Sequence, residues 1–423
     1  MCKVLRATPD RVTVKRFFLV LPRRLLAVAG TGIVVMFADT DAGSVITAAQ
    51  SGAQWGYSLL PLQLLLIPVL YLVQELTVRL GLVTGQGHGE LIRRHFGRGW
   101  AWVSVATLAV ACVGALVSEL SGLAGVGLLY GVPRWATMIA VVGGLVVMVW
   151  TASYRSVERT AVAFGAFEFA FIGIAWAVRP DLSDLVQGAS HIPLREPSFL
   201  YLVTANIGAV IMPWMIFYQQ SAVVEKGLDR RSLRAVRIET AIGAVLTQLI
   251  MCGVLVATAA TLGRTNPRVP LQTVQEISGA LTPQLGLSLG RLVFAVGMCG
   301  AAMVATIVVS LTAAWGVGEV AGFRRSLADH PSEAPWFYGI FTACLVLAGV
   351  LVAVNGNLVM LSIGVQVMNS LLLPIVLGFL FALAARTLPQ ADRLKGLRAI
   401  FTAAAMGLTA GLGIYSACVA MVG

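Results

Sequence analysis

The sequence predicts an all-α polytopic membrane protein with eleven transmembrane helices, the first ten forming two inverted halves of five. Three observations carry this. The composition is apolar throughout, apolar runs long enough to span a bilayer recur along the chain with cations sorted between alternate connections, and residues that break helices sit in the first and the sixth run.

Of the 423 residues, 58% are hydrophobic and 12% charged, about half the charged share of a soluble domain. A soluble chain of this length divides into domains that each need a polar surface. No stretch here supplies one, which excludes a soluble enzyme and a disordered chain. The 30 basic residues outnumber the 19 acidic ones, for a net charge of +11. They lie in connections between apolar runs, so the excess points to a membrane surface and not to nucleic acid.

A helix of about 20 apolar residues crosses the ~30 Å hydrocarbon core. Such runs are read at 25–53, 57–82, 100–129, 135–152, 158–178, 199–225, 238–262, 288–314, 336–355, 358–385 and 400–422, the eighth running on towards Phe323. Residues 1–24 read as a basic cytoplasmic N-terminus without a cleavable signal. Residues 25–422 then form one transmembrane domain: repeat one over about 25–178, repeat two over about 199–385, and an extra helix over 400–422.

The N-terminus and the even-numbered connections hold 24 cations. The other connections hold only Arg134, Arg179, Arg195, Arg264, Arg268 and Arg291. The positive-inside rule therefore places the N-terminus in the cytoplasm and Gly423 outside, in a plasma (inner) membrane, with lipid as the surroundings and no obligate protein partner inferred. Five of the six cysteines, Cys112, Cys252, Cys299, Cys344 and Cys418, fall in apolar runs and Cys2 is cytoplasmic, so no structural disulfide is expected.

The informative places are where membrane rules are broken. The first run carries Asp39 and Asp41 at mid-span, followed by Ala42-Gly43-Ser44. An ionised Asp at the bilayer centre costs about 2.5–3.5 kcal/mol on insertion scales, and it persists when it meets a cation, a partner or water. Gly43 among small polar residues is expected to let the helix unwind, freeing backbone carbonyls as hard oxygen ligands. In the sixth run Pro213 follows Met212 within Gly208-Ala209-Val-Ile-Met212-Pro213-Trp214. Proline removes a donor and clashes with the preceding turn, so the carbonyls near Ala209 need another partner. Met212 offers a soft thioether, which suits transition metals over Mg²⁺ or Ca²⁺. Breaks five spans apart divide the chain into halves of odd length, which insert with inverted topology. Broken helices at matching positions of such halves mark a midplane transport site.

These residues resemble the NRAMP divalent-metal transporters. Asp41-Ala-Gly-Ser44 with Thr47, Gln50, Gly52-Ala-Gln54 and Gly56-Tyr57 is similar to that family's first-helix Asp-Pro-Gly-Asn motif and its sequel. Gln74-Glu-Leu-Thr-Val-Arg79-Leu-Gly81-Leu-Val-Thr84-Gly85 resembles the end of its second helix, and Gly208-Ala209-Val-Ile-Met212-Pro213 its sixth-helix Ala-x-x-Met-Pro motif. Gln366, eight residues before Pro374, matches its tenth-helix Gln. Four motifs in order over about 25–385 imply the LeuT-type fold. They also imply metal binding by Asp41, Ser44, the Ala209 carbonyl, Met212 and Gln366, with Asp39 as an added negative group.

The departures are informative too. Ala42 and Ser44 stand where the family has Pro and Asn, and Trp214 stands where it has a His after Met-Pro, which removes a group that titrates near neutral pH. Glu119 fits the family's third-helix Glu for proton transfer, but Leu116 replaces its Asp, and 336–355 contains no cation to replace its ninth-helix Arg. Weak or absent proton coupling follows. The pattern resembles the family's NRAMP-related magnesium transporter branch. Asp39 favours Mg²⁺ while Met212 favours Mn²⁺ or Fe²⁺, and the ion stays open between them. No cofactor is expected beyond the transported cation.

Glu75 lies four residues before Arg79, at helical pairing distance. Glu168 and Glu239 are expected to make bundle hydrogen bonds or to line an internal vestibule, and Glu319 falls near the end of the eighth span. His88, His95, His191 and His330 are read as loop residues without a metal role. Two other classes are weighed. An amino-acid or amine symporter of the same fold would present backbone donors to a carboxylate, which Asp39 and Asp41 repel. An intramembrane aspartyl protease draws its pair from two helices, whereas both aspartates here share one segment.

Overall fold

A computed structural model describes residues 31–422, apart from 152–153, 266–268, 325 and 327–328. The basic segment 1–24, Cys2 and the start of the first span lie outside the described residues. The described residues are helical and contain no strand. Ten helical stretches among them are long and apolar enough to cross a membrane. The first span is not one of the ten, because it is divided into α1 (Thr31–Asp39) and α2 (Ala42–Trp55), each too short alone.

The second span is α3 (Leu60–Thr84), and α4 (His88–Phe96) is a short connecting helix. Next come α5 (Arg98–Leu129) and α6 (Arg134–Thr151), then the fifth span as α7 (Tyr154–Gly165), a 3₁₀ turn at Ala166–Glu168, and α8 (Phe169–Val178). After α9 (Leu182–Ser190), the sixth span is split into α10 (Pro197–Val210) and α11 (Pro213–Glu225). The chain continues through α12 (Leu233–Thr265), α13 (Val274–Leu281), α14 (Leu287–Ala321), α15 (Pro335–Val354), α16 (Leu358–Thr387) and α17 (Gly396–Val422). The eighth span does run on beyond residue 314, to Ala321. Helices α4, α9 and α13 lie within what the sequence presents as connections. They were hidden because each is only eight or nine residues long, too short to show a periodicity.

Burial separates the centre from the lipid face. Of the most apolar 18-residue window within Pro197–Glu225, 94% is buried, against 17% for that of α6. Helix α2 packs on α12, α10, α16 and α5, while α1 packs on α12, α14, α11 and α7. The two broken spans therefore occupy the middle of the bundle and the unbroken helices wrap them. Proline opens α10, α11 and α15 at the first helical turn, where its missing donor costs nothing and its fixed φ suits the helix.

Candidate functional site

The first break is two residues earlier than glycine chemistry suggests. Helix α1 ends as Thr40 donates its N–H to the Met36 and Phe37 carbonyls. Asp41 is extended (φ −76°, ψ 169°) and caps α2, its Oδ1 accepting the Ser44 N–H at 2.6 Å. The Asp-Ala-Gly-Ser run is thus a helix N-cap, the arrangement in which a carboxylate satisfies an orphan amide. Gly43 does not unwind the helix. It sits inside the first turn of α2, where a Cβ would overlap the Gln366 amide and the Ser118 hydroxyl. Close packing, and not backbone freedom, requires glycine there.

The second break falls where proline places it. Ile211 and Met212 are extended between α10 and α11, and Pro213 is the first residue of α11. The Ala209 carbonyl, released by the break, accepts the Ser44 hydroxyl at 2.9 Å. The Met212 N–H donates to the Met215 sulfur at 3.2 Å, and the Trp214 indole N–H donates to the Met212 sulfur at 3.2 Å. All of these residues are buried.

Gln366 of α16 reaches the same place. Its Nε2 donates to Ser118 Oγ at 3.5 Å, and its Oε1 accepts from Asn369 at 3.0 Å. The Ser118 and Ser362 hydroxyls are hydrogen-bonded to each other. A Cβ on Gly208 would strike the Gln366 carbonyl oxygen, so α10 and α16 touch backbone to backbone. Glu119 of α5 points to the first break, where its Oε2 accepts the Ala42 N–H at 2.9 Å.

The structure thus joins Asp41, Ser44 and Ala209 in one hydrogen-bonded chain, sets Met212 three residues beyond Ala209, and brings Gln366 and Glu119 against the start of α2. Asp39 closes α1, and neither of its oxygens has a hydrogen-bond partner, whereas the Asp41 and Glu119 side chains meet each other. Such orphans cost free energy when buried unless another group meets them. Among the described residues no three His, Cys, Asp or Glu side chains are arranged to hold a metal ion. The polar groups gathered at the breaks are of mixed kind: carboxylate, hydroxyl, carbonyl, amide and thioether.

The sequence does not announce every neighbour of the first break. The 3₁₀ turn buries Glu168 beside Thr40, whose hydroxyl it meets, and near Asp41 and Asp39. Asn206 of α10 accepts from Gln63 at 2.6 Å and donates to Ser51 at 2.8 Å, tying the second, first and sixth spans together. Polar residues at unequal spacing on three helices leave no local pattern from which this could be read. A cavity of about 630 Å³ lies at the Trp55 end of α2, with Gln50, Gln54, Tyr201 and Gln272 in its wall.

At the opposite end of the broken helices, His88 and His95 belong to α4 and not to loops. His88 is fully buried, its Nδ1 2.9 Å from Gln220 Oε1 on α11, while Gln220 Nε2 donates to the Gln86 carbonyl at 2.9 Å. Burial pushes the His88 imidazole down to about 4. Glu319 at the end of α14 accepts from the Gly89 N–H at 2.8 Å and the Ser221 hydroxyl at 2.6 Å. The pairing of Glu75 with Arg79 is present at 2.6 Å, and Arg237 of α12 joins it at 2.6 Å.

A broken first helix facing a broken sixth one, wrapped by the other spans, is the LeuT-type fold of an integral membrane protein. The fold is shared with solved structures: the Eremococcus coleocola manganese transporter in complex with an aromatic bis-isothiourea compound (TM-score 0.75, 17% identity, 98% of this chain and 89% of that one) and MhsT in complex with L-phenylalanine (TM-score 0.60, 14% identity, 92% and 98%). The chain belongs to the Nramp family, whose model, described as natural resistance-associated macrophage protein-like, matches residues 32–418. It is 27% identical over 306 residues to the divalent metal cation transporter MntH of Mesorhizobium japonicum, covering 68% of this chain and 66% of that protein. It is 31% identical over 284 residues to the MntH of Deinococcus radiodurans, covering 62% of each. The aligned part thus spans just under two thirds of the length of these relatives.

Proposed function

We propose that the chain imports divalent metal cations by alternating access, held between the two breaks and released inward as one group of helices rocks against the other. The observation that carries this reading is the hydrogen bond from Ser44 Oγ to the Ala209 carbonyl at 2.9 Å. It places a hydroxyl and a freed carbonyl, one from each broken span, beside the carboxylate of Asp41. In this reading Asp41 supplies charge, Ser44, Ala209 and Gln366 supply oxygens, Asp39 adds negative potential, and Met212 sets the softness. Mg²⁺ and Mn²⁺ both fit an oxygen-rich set of this kind. In this reading repeat one spans about 25–178 and repeat two about 199–385, with a cytoplasmic N-terminus and an external C-terminus.

Proton coupling is weak or absent in this reading. Leu116 stands on α5 where a second acid would be, α15 contains no cation, and Glu119 is engaged by the Ala42 N–H. The test is uptake into proteoliposomes with Mn²⁺ and Mg²⁺ in parallel and an internal pH dye, for wild type and Asp41→Ala. Uptake without acidification that Asp41→Ala abolishes is the expected result. Acidification that tracks uptake overturns the coupling argument, and no uptake of either ion by the wild type overturns the transport reading.

A further inference from the structure

The sulfur at the sixth-span break is not a free donor. One of its two lone pairs accepts the Trp214 indole N–H at 3.2 Å, two residues further along the chain. The second sulfur at the break, that of Met215, likewise accepts the Met212 N–H at 3.2 Å. Trp214 is fully buried in the first turn of α11, behind Pro213, whose ring fixes the backbone. Moving the indole away would leave a buried N–H without an acceptor, a state that folded proteins avoid. A thioether holding a hydrogen bond also has less electron density to offer a cation, and its orientation is set by the indole.

We propose that Trp214 is a specificity-determining residue: its indole N–H withholds the Met212 thioether from the cation and makes the site select hard, oxygen-seeking divalent ions over soft ones. This rests on the reading that a divalent cation sits between the two breaks. The remaining donors at the breaks, Asp41, Ser44, the Ala209 carbonyl and Gln366, are all oxygens or carry one. With the sulfur withheld, ion preference is decided by oxygen chemistry, which does not reward a soft ion. The residue type matters for its N–H and not for its bulk. Phenylalanine at this position keeps an aromatic ring in the pocket and releases the sulfur.

The test is calorimetric titration of the full-length protein in detergent with Cd²⁺, a soft probe, and Mg²⁺, a hard one. Four proteins are compared: wild type, Trp214→Phe, Met212→Leu and the double variant. A hydrogen bond of ordinary net strength corresponds to about a three- to tenfold change. Trp214→Phe is expected to raise Cd²⁺ affinity by that factor and to leave Mg²⁺ affinity within about twofold. Met212→Leu alone is expected to cost less Cd²⁺ affinity than the factor Trp214→Phe is expected to gain, because the sulfur it removes is already engaged by the indole. That arm holds even where Trp214→Phe fails to fold. The gain in Trp214→Phe must vanish in the double variant. An unchanged Cd²⁺ to Mg²⁺ ratio in Trp214→Phe, a gain that survives loss of the sulfur, or a large loss of Cd²⁺ affinity in Met212→Leu alone overturns the proposal and leaves the transport reading standing. Absence of binding of either ion by the wild type overturns both.

Discussion

The Glu119 carboxylate accepts the backbone N–H of Ala42 at 2.9 Å, so the third span caps the helix that begins at the first break. Together with Asp41, which takes the Ser44 N–H, it satisfies two of the amides that any helix leaves open at its start. This gives Glu119 a structural reason to be present in a chain whose third-span neighbour is Leu116. Glu119→Gln keeps an acceptor oxygen, so its melting temperature in detergent should stay within a few degrees of wild type and uptake within about threefold. Glu119→Ala strands the Ala42 N–H and should cost about 1–3 kcal/mol of stability. If Glu119 instead carried a transported proton, Glu119→Gln would alter the pH dependence of uptake as strongly as Glu119→Ala.

Gly208 and Gly43 both lie against Gln366, but against different parts of it. A Cβ on Gly208 meets the Gln366 carbonyl oxygen and the Ser370 backbone nitrogen, whereas one on Gly43 meets side-chain atoms of Gln366 and Ser118. Side chains can turn aside and backbones in mid-helix cannot. Gly208→Ala should therefore force α10 from α16, at an overpacking cost of about 1–3 kcal/mol, and lose most uptake. Gly43→Ala should melt closer to wild type while weakening metal binding, because the Gln366 amide is what it displaces. Thermal melting and uptake of the two variants side by side check this order, and an equal loss of stability in both would contradict it.

Glu75 is held by Arg79 of its own helix and by Arg237 of α12, each at 2.6 Å, and Arg79 also donates to the Asp392 carbonyl at 2.9 Å. Only 7% of the Glu75 side chain is exposed. Removing one partner of a buried pair costs more than the pair contributes, about 3–5 kcal/mol, because the remaining charges lose their counter-ion. Glu75→Gln should accordingly lower the melting temperature more than Arg237→Gln, which leaves the Glu75–Arg79 pair intact. Equal melting temperatures would show that the cluster is solvated in the membrane-embedded protein.

What was legible in the sequence followed from rules that act locally. Apolar length located the spans, Pro213 located the second break to the residue, and the pairing of Glu75 with Arg79 followed from helical spacing. The first break was placed two residues late because Gly43 was read as backbone freedom. Asp41 is the stronger signal: an Asp followed three residues later by Ser44 is an N-cap, and it starts a helix instead of ending one. The Arg237 arm of the Glu75 cluster and the Asn206 network are contacts across more than 140 residues of chain, with no periodicity to announce them. Glu168 illustrates the same limit: its apolar run predicts a bundle partner, which is Thr40, but its nearness to Asp39 and Asp41 depends on how α7 packs on α1.

His88 supplies a pH dependence whose sign can be worked out. In the unfolded chain its imidazole titrates near 6.5, and in the fold burial holds it down to about 4. Between these values the unfolded state binds the extra proton, so stability rises with pH across that window. The contribution is fully present above about pH 6.5 and is lost progressively as pH falls towards 4, up to about 3 kcal/mol for a shift of this size. Its neighbours are those of a neutral ring: Gln220 at 2.9 Å on Nδ1 and the Phe217 ring edge-on at 4.7 Å between centroids, with Nε2 buried and no hydrogen-bond partner there. His88→Asn keeps a donor to Gln220 and removes the titration. Its melting temperature should vary less between pH 6.5 and 4 than that of the wild type, with the two profiles parallel above pH 7. A wild-type profile that is flat below pH 6.5, or one that the substitution leaves unchanged, would mean that the imidazolium is accommodated in place and that α4 stays docked on α11 in acid.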